Sequence, residues 1–200
     1  DLDALPCPDR TMLPQDRYFC ILGERSHGTT MMSSRGCPYQ CTYCNTPDKV
    51  YRKRSPANIA DEMAACLRLG IEEIFFFDDL FNLRAADVIA LCDEIVRRGL
   101  RVKWAFRGRV NGVTEEMMRK LKAAGCTRIQ FGIEKADDAA FRKVKKETTV
   151  AEVENAVRLT KKYGLMAVGN FLISTPGETR EDILRIIRFS LELPLDFAEY

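Results

Sequence analysis

The chain has 200 residues, 46% of them apolar and 30% charged, a composition that builds an ordinary globular core and excludes a disordered or fibrous protein. With 31 Lys and Arg against 29 Asp and Glu, the formal charge is +2, which gives no broad electrostatic footprint for nucleic acid or an anionic membrane. No apolar run has the length needed to cross a bilayer, and the acidic, proline-bearing start is unlike a secretory leader. Opening at Asp1 and stopping at Tyr200 within a strand pattern, the chain reads as a segment of a longer protein.

Residues 1–27 carry Pro6, Pro8 and Pro14 among charges and predict an extended linker; residues 28–200 predict one α/β unit. Short apolar runs predict strands over 29–34, 71–77, 102–106, 127–133 and 165–174, and the start of a sixth over 196–200. Phenylalanine at 75, 76 and 77 fits a strand buried on both faces; with no basic residues interleaved it predicts core, not a stacking platform.

Helices between these strands have legible ends. Ser55-Pro56 places a cap before a first-turn proline, ahead of the stripe Ile59, Met63, Cys66 and Leu67. Val88, Ile89, Cys92, Ile95 and Val96 predict the next helix, and Thr114 caps a third that stops at Gly125. Thr149 with Glu152, and Thr179 with Asp182, have capping-box spacing before two further apolar stripes.

The alternation predicts α/β, with a partial (β/α)6 TIM-like barrel favoured over a doubly wound sheet. A doubly wound dinucleotide binder carries Gly-x-Gly-x-x-Gly after its first strand, where this chain has Gly36-Cys37-Pro38. Chemistry-bearing residues follow each strand instead: Arg35 and cysteines, Asp78-Asp79, Arg107 and Arg109, Glu134, and Ser174 through Glu178. Barrels build active sites at those strand ends. Trp104 shares a strand face with Val102 and Phe106, placing it in the barrel interior or the helix layer.

Eight cysteines lie at 7, 20, 37, 41, 44, 66, 92 and 126, and three of them crowd into the C-x3-C-x2-C run Cys37, Cys41, Cys44. A chain of this size needs no disulfide staples, so a crowded trio points to metal in a reducing compartment and hence to the cytoplasm. Zinc sites use four ligands, and His27 could complete a Cys3His set. Ferredoxin-type clusters also use four thiolates. A four-iron cluster held by three leaves one iron open to a small molecule with amino and carboxylate groups. Cys66, Cys92 and Cys126 read as buried free thiols, Cys7 and Cys20 as surface or packing residues.

Cys37-x3-Cys41-x-Tyr43-Cys44 directly after a first strand that opens an α/β barrel resembles the radical S-adenosylmethionine (SAM) superfamily, over residues 29–200. The resemblance implies a barrel of the radical SAM type and a [4Fe–4S] cluster on Cys37, Cys41 and Cys44, whose open iron chelates SAM. One electron then cleaves the sulfonium to a 5′-deoxyadenosyl radical that abstracts hydrogen from an unactivated carbon. It also implies an electron donor such as flavodoxin or ferredoxin and a small-molecule substrate, with no direct nucleic-acid partner. No general acid or base is implied.

By the same resemblance, Tyr43 packs at the adenine, and Phe77-Asp78 lies where backbone meets the SAM amino group. Glu134 and Asn170 contact the ribose, and Lys146 the SAM carboxylate. Asp78-Asp79 departs from the more usual Gly-Gly-Glu, and Ser174 replaces the glycine more usual in the turn before Pro176-Gly177-Glu178-Thr179. Glu178 reads as a turn residue, and Arg109 as a contact to substrate or second cofactor. Ser33 through Pro38, with residues 1–14, resembles the branch that follows an N-terminal cobalamin-binding domain. That implies cobalamin held mainly outside this chain, and methylation, rearrangement or ring closure. Two rivals remain at this point: a sulfur-inserting methylthiotransferase acting on tRNA or a ribosomal protein, and a non-catalytic zinc module.

Overall fold

In the computed structural model, which describes residues 1–14, 17–19, 22–23 and 27–200, all six expected strands form and run parallel. In chain order the elements are β1 (Gly28–Met31), β2 (Ser34–Arg35), β3 (Arg52–Lys53), α1 (Pro56–Arg68), β4 (Glu73–Phe76), α2 (Ala85–Arg97), β5 (Lys103–Gly108), α3 (Glu115–Ala123), β6 (Cys126–Glu134), α4 (Asp138–Lys143), α5 (Val150–Lys162), β7 (Met166–Phe171), α6 (Arg180–Glu192) and β8 (Phe197–Glu199). The main sheet follows chain order, β1-β4-β5-β6-β7-β8. That is the winding of a barrel wall; a doubly wound sheet reverses its order at a switch point. Among the described residues β1 and β8 do not pair, so the wall stays open between them.

The caps form as their residues dictate. Ser55 Oγ accepts from Asn58 N at 3.2 Å, and Thr114 Oγ from Met117 N at 3.2 Å. Thr149–Glu152 and Thr179–Asp182 both close reciprocal capping boxes. Two elements lacked a sequence signal strong enough to predict. The two-residue antiparallel pair β2–β3 is too short for periodicity, and α4 is a six-residue helix capped by Asp137.

The two faces of the sheet differ, and this corrects the reading of residues 75–77. Strand side chains alternate. Phe76 meets the helix layer, fully buried with Phe81, Trp104 and Phe106, and Trp104 Nε1 donates to Ala124 O at 2.8 Å. Trp104 therefore belongs to the helix layer. Phe75 and Phe77 face the opposite, concave side, where Phe77 is 50% exposed. There the Arg107 guanidinium lies 4.5 Å from the Phe77 ring centroid and 5.7 Å from that of Phe75, with Arg128 5.5 Å from Phe75. The cations come from neighbouring strands, which the local sequence around 75–77 does not reveal.

The leading segment is docked. Leu2 and Arg10 are buried, and Asp3 Oδ1 accepts from Ser55 N at 2.9 Å where α1 begins. Arg10 donates to Thr30 O at 3.0 Å and pairs with Glu62 at 2.7 Å; Arg54 pairs with the same carboxylate. Prolines keep this segment extended but do not say where it lies. Cys7 is exposed, and Cys20 lies outside the described residues. Cys66, Cys92 and Cys126 are buried free thiols, and burial pushes all three up, Cys92 to about 12. No helix among the described residues is long and apolar enough to cross a membrane.

Candidate functional site

The chain leaving β1 enters β2, which pairs with β3 in the register Ser34↔Lys53 and Arg35↔Arg52. This pair closes the base of a loop over 36–51 that carries Cys37, Cys41 and Cys44. Gly36 makes the entering turn at φ +84°, and a Cβ there would lie 2.4 Å from Val50 O. Only glycine fits both demands. Cys37 N donates to Asp48 O at 3.0 Å across the loop, and Cys44 N to Cys41 O at 3.1 Å within it.

The two aspartates after β4 pin this loop. Ser33 N donates to Asp78 Oδ1 at 2.7 Å, Ser34 Oγ to Asp78 Oδ2 at 2.8 Å, and the Ser33 hydroxyl also reaches Oδ2. Gly36 N donates to Asp79 Oδ2 at 2.8 Å. Burial pushes the Asp78 carboxyl above its ordinary value, against those hydrogen bonds. The departure from Gly-Gly-Glu thus has a structural role, and the expectation for Phe77-Asp78 narrows to backbone, because the Asp78 side chain is committed to the loop.

Arg109, following β5, ties the loop to the rest of the site. Buried, it donates from Nη1 to Cys41 Sγ at 3.5 Å, from Nη2 to Lys146 O at 2.7 Å, and from Nε to Asn111 Oδ1 at 3.0 Å. Its guanidinium lies 3.7 Å from the Tyr39 ring centroid. Buried Asn82 fixes its backbone, accepting from Arg109 N at 2.9 Å and donating to Arg109 O at 2.8 Å. The expected contact of Arg109 to substrate or a second cofactor gives way to contacts within the protein, to Asn111, Cys41, Lys146 and Glu147. Thr42 N donates to Val144 O at 3.0 Å, a second tie to the same segment.

Tyr43, Glu134 and Lys146 meet, and Asn170 lies nearby on the strand paired with β6. Lys146 Nζ, on a side chain 4% exposed, lies 3.2 Å from Tyr43 Oη and 3.4 Å from Glu134 Oε1. Loss of solvent pushes the lysine down, with Glu134 working against the shift. Burial, reinforced by Glu134, pushes the Tyr43 phenol well up. Gly132, in register with Asn170, leaves room for these groups: a Cβ there would meet Glu134 Oε1 at 2.7 Å and Lys146 Nζ at 3.1 Å. Among the described residues, the buried Asn170 Oδ1 has no hydrogen-bond partner. A buried polar atom left orphaned calls for a ligand or water to satisfy it.

Backbone strain collects around this patch. Glu134 has φ +75° at a register shift of β6, Lys145 +52°, Glu147 +31° and Ser174 +63°. Such conformations persist where surrounding structure over-determines them, often at ligand sites. Ser174 occupies a conformation suited to the glycine it replaces. Relief of a left-handed cost of about 1–2 kcal/mol outweighs the roughly 0.5–1 kcal/mol of extra chain freedom a glycine brings. Ser174→Gly is therefore expected to stabilise the protein by about 0.5–1 kcal/mol, measured by urea denaturation. Glu178 serves the turn as read, accepting from Thr175 N at 2.8 Å and pairing with buried Lys135.

His27 sits just before β1, at the strand end opposite the cysteine loop, in an isolated bridge with Phe19. That separates it from the thiols it would join in a Cys3His site. Among the described residues no three His, Cys, Asp or Glu side chains converge closely enough to hold a single ion. A cubane cluster distributes its ligands over separate corners, so three free thiols on one loop suit it as a donor set.

Residues 31–190 match the Radical SAM superfamily, and the chain belongs to it. It is 33% identical, over its whole length and 44% of the relative's, to an uncharacterised methyltransferase of Pyrococcus horikoshii. It is 29% identical to the anaerobic magnesium-protoporphyrin IX monomethyl ester cyclase of Cereibacter sphaeroides, over 84% of this chain and 28% of that protein. Among solved structures it resembles the radical SAM methyltransferase TsrM of Kitasatospora setae with cobalamin and a [4Fe–4S] cluster bound. That likeness has a TM-score of 0.80 and 27% identity, over 87% of this chain and 36% of that one. Another structure of TsrM holds tryptophan and a SAM analogue. The chain thus spans less than half the length of these relatives.

Proposed function

We propose that this chain is the core of a radical SAM enzyme in which Cys37, Cys41 and Cys44 hold a [4Fe–4S] cluster, and Tyr43, Glu134, Lys146, Asn170 and the Phe77–Asp78 backbone hold SAM. When bound, the cluster supplies one electron for reductive cleavage of SAM to a 5′-deoxyadenosyl radical. The chain's own residues orient and shield. Arg109 and the Asp78–Asp79 pair keep the cysteine loop in place, Lys146 offers a cation to the SAM carboxylate, and Asn170 offers its unused acceptor to a ribose hydroxyl. Water exclusion follows from the burial of Cys41, Lys146 and Arg109. The observation that carries the reading is this orphaned acceptor beside a lysine–glutamate–tyrosine cluster, one loop away from three free thiols.

The relatives named methyltransferase and cyclase, with cobalamin bound in TsrM, support cobalamin-dependent methylation or ring closure. The proposal adds an unactivated carbon as the target, cobalamin held mainly outside this chain, and a flavodoxin or ferredoxin as reductant. Anaerobic purification with iron, sulfide and zinc analysis tests the metal: iron with matching sulfide is expected, and zinc without sulfide would end the reading. Asn170→Ala tests the SAM site. Losing one hydrogen bond is expected to weaken SAM binding by about five- to tenfold. Stability without SAM should not fall, because no group among the described residues loses a partner at Oδ1. Unchanged affinity in equilibrium dialysis would remove Asn170 from the site.

A further inference from the structure

The parallel register sorts side chains on the concave face into layers. Gly132, Asn170 and Glu199 share one layer, and Arg107, Gln130, Val168 and Phe197 share the next. Two residues along a strand separate them, about 7 Å. Arg107 therefore lies one layer inside the wall from Asn170, towards the N-terminal ends of the strands.

A cavity of about 650 Å³ opens against this face, with Tyr18, Phe19, Phe75, Arg107, Gln130 and Glu199 in its lining. That volume suits a drug-sized molecule. Arg107 lines it, exposed, with its guanidinium over the Phe77 ring. Its Nε donates to Gln130 Oε1 at 3.4 Å, and Gln130 Nε2 donates onward to Glu199 Oε2 at 2.8 Å. Among the described residues no carboxylate reaches the Arg107 guanidinium. The other arginine in the lining, Arg128, is engaged, donating to Leu22 O at 2.7 Å with Glu73 at 3.9 Å. The cavity thus has an accessible cation at Arg107, an anion at Glu199 linked to it through Gln130, and aromatic side chains in its lining.

We propose that the substrate is a largely apolar molecule bearing a carboxylate, held by Arg107 while its body lies against Phe75, Tyr18 and Phe19. The inference rests on the reading above, which puts SAM at Asn170; the substrate would then lie against the same face of the sheet, one layer towards the N-terminal strand ends. Arginine suits the task, since its planar fork matches a carboxylate in two parallel hydrogen bonds. Glu199 repels a second anion and so gives the bound molecule one orientation.

The test uses the full-length protein with its cluster reconstituted, and equilibrium dialysis of two probes of equal shape, 2-naphthoate and 2-naphthamide. The acid is expected to bind about tenfold tighter than the amide, the contribution of a charge-assisted pair. Arg107→Gln should erase that preference, Arg107→Lys should keep part of it, and both should retain cluster absorbance and SAM affinity. A wild-type protein blind to the difference, or an Arg107→Gln variant that keeps it, overturns the proposal. So does a loss of SAM affinity in Arg107→Gln, which would assign the residue to the cofactor. Should the wild-type protein fail to cleave SAM while the Arg107-dependent preference persists, the carboxylate site stands and the functional reading falls.

Discussion

Cys41→Ala is expected to leave the protein folded but unable to retain a cluster, with deoxyadenosine formation at the level of a control lacking enzyme. Cys41 is the buried member of the trio, and its sulfur receives a donor from Arg109. Alanine removes a ligand without disturbing the backbone bonds of the loop, Cys44 N to Cys41 O and Thr42 N to Val144 O. Iron and sulfide content after anaerobic reconstitution, together with chromatographic assay of deoxyadenosine, provides the measurement. Cys66→Ala is the matched control: it also removes a buried thiol, but from a helix face, and should keep full cluster content. Deoxyadenosine formation surviving in Cys41→Ala would sink the cluster assignment.

Arg109→Ala is expected to lower stability by about 2–4 kcal/mol and to reduce cluster occupancy, even though the cysteines are untouched. The side chain supplies Lys146 O, Glu147 O and Asn111 Oδ1 with donors and covers the Tyr39 ring. Truncation takes this donor from the buried Lys146 carbonyl and opens a void beside Cys41, while Glu147 O keeps its donor from Asn111 Nδ2. Lysine keeps the charge but cannot reach three directions at once, so Arg109→Lys should fall between wild type and alanine. Urea denaturation and iron content read the two effects separately. Equal occupancy in the alanine variant would confine Arg109 to fold stability.

How much of this was legible in the chain follows from what kind of signal each feature leaves. The helices announced themselves because capping chemistry is local: Ser55, Thr114, Thr149 and Thr179 each bond a backbone N–H within their own first turn. The cysteine loop was legible for the same reason, its three thiols lying within eight residues. The patch of Tyr43, Glu134, Lys146 and Asn170 could be expected only through family resemblance. These residues come from separate elements, and no spacing says that Lys146 reaches across to Tyr43. The alternation of residues 75–77 is not legible in the sequence, because three identical aromatic side chains hide a period of two. Arg109 and the Asp78–Asp79 pair left the weakest trace, since their partners lie 37 and 43 to 45 positions away. Ser174 was noticed as a substitution, while its positive φ became visible only in the backbone.

The docking of the first residues against β1 and α1 bears on where this domain can be cut. Arg10 fills the Thr30 carbonyl on β1 and balances half of the Glu62 ion triad, Tyr18 O accepts from Gly28 N at the start of the same strand, and Asp3 fastens the start of α1. A fragment trimmed to Gly28 would inherit a bare strand margin open to sticking edge-on to its own copies, and a buried acid with one counterion fewer. What reads as connector is a sealing strip, and an expression boundary belongs ahead of Leu2.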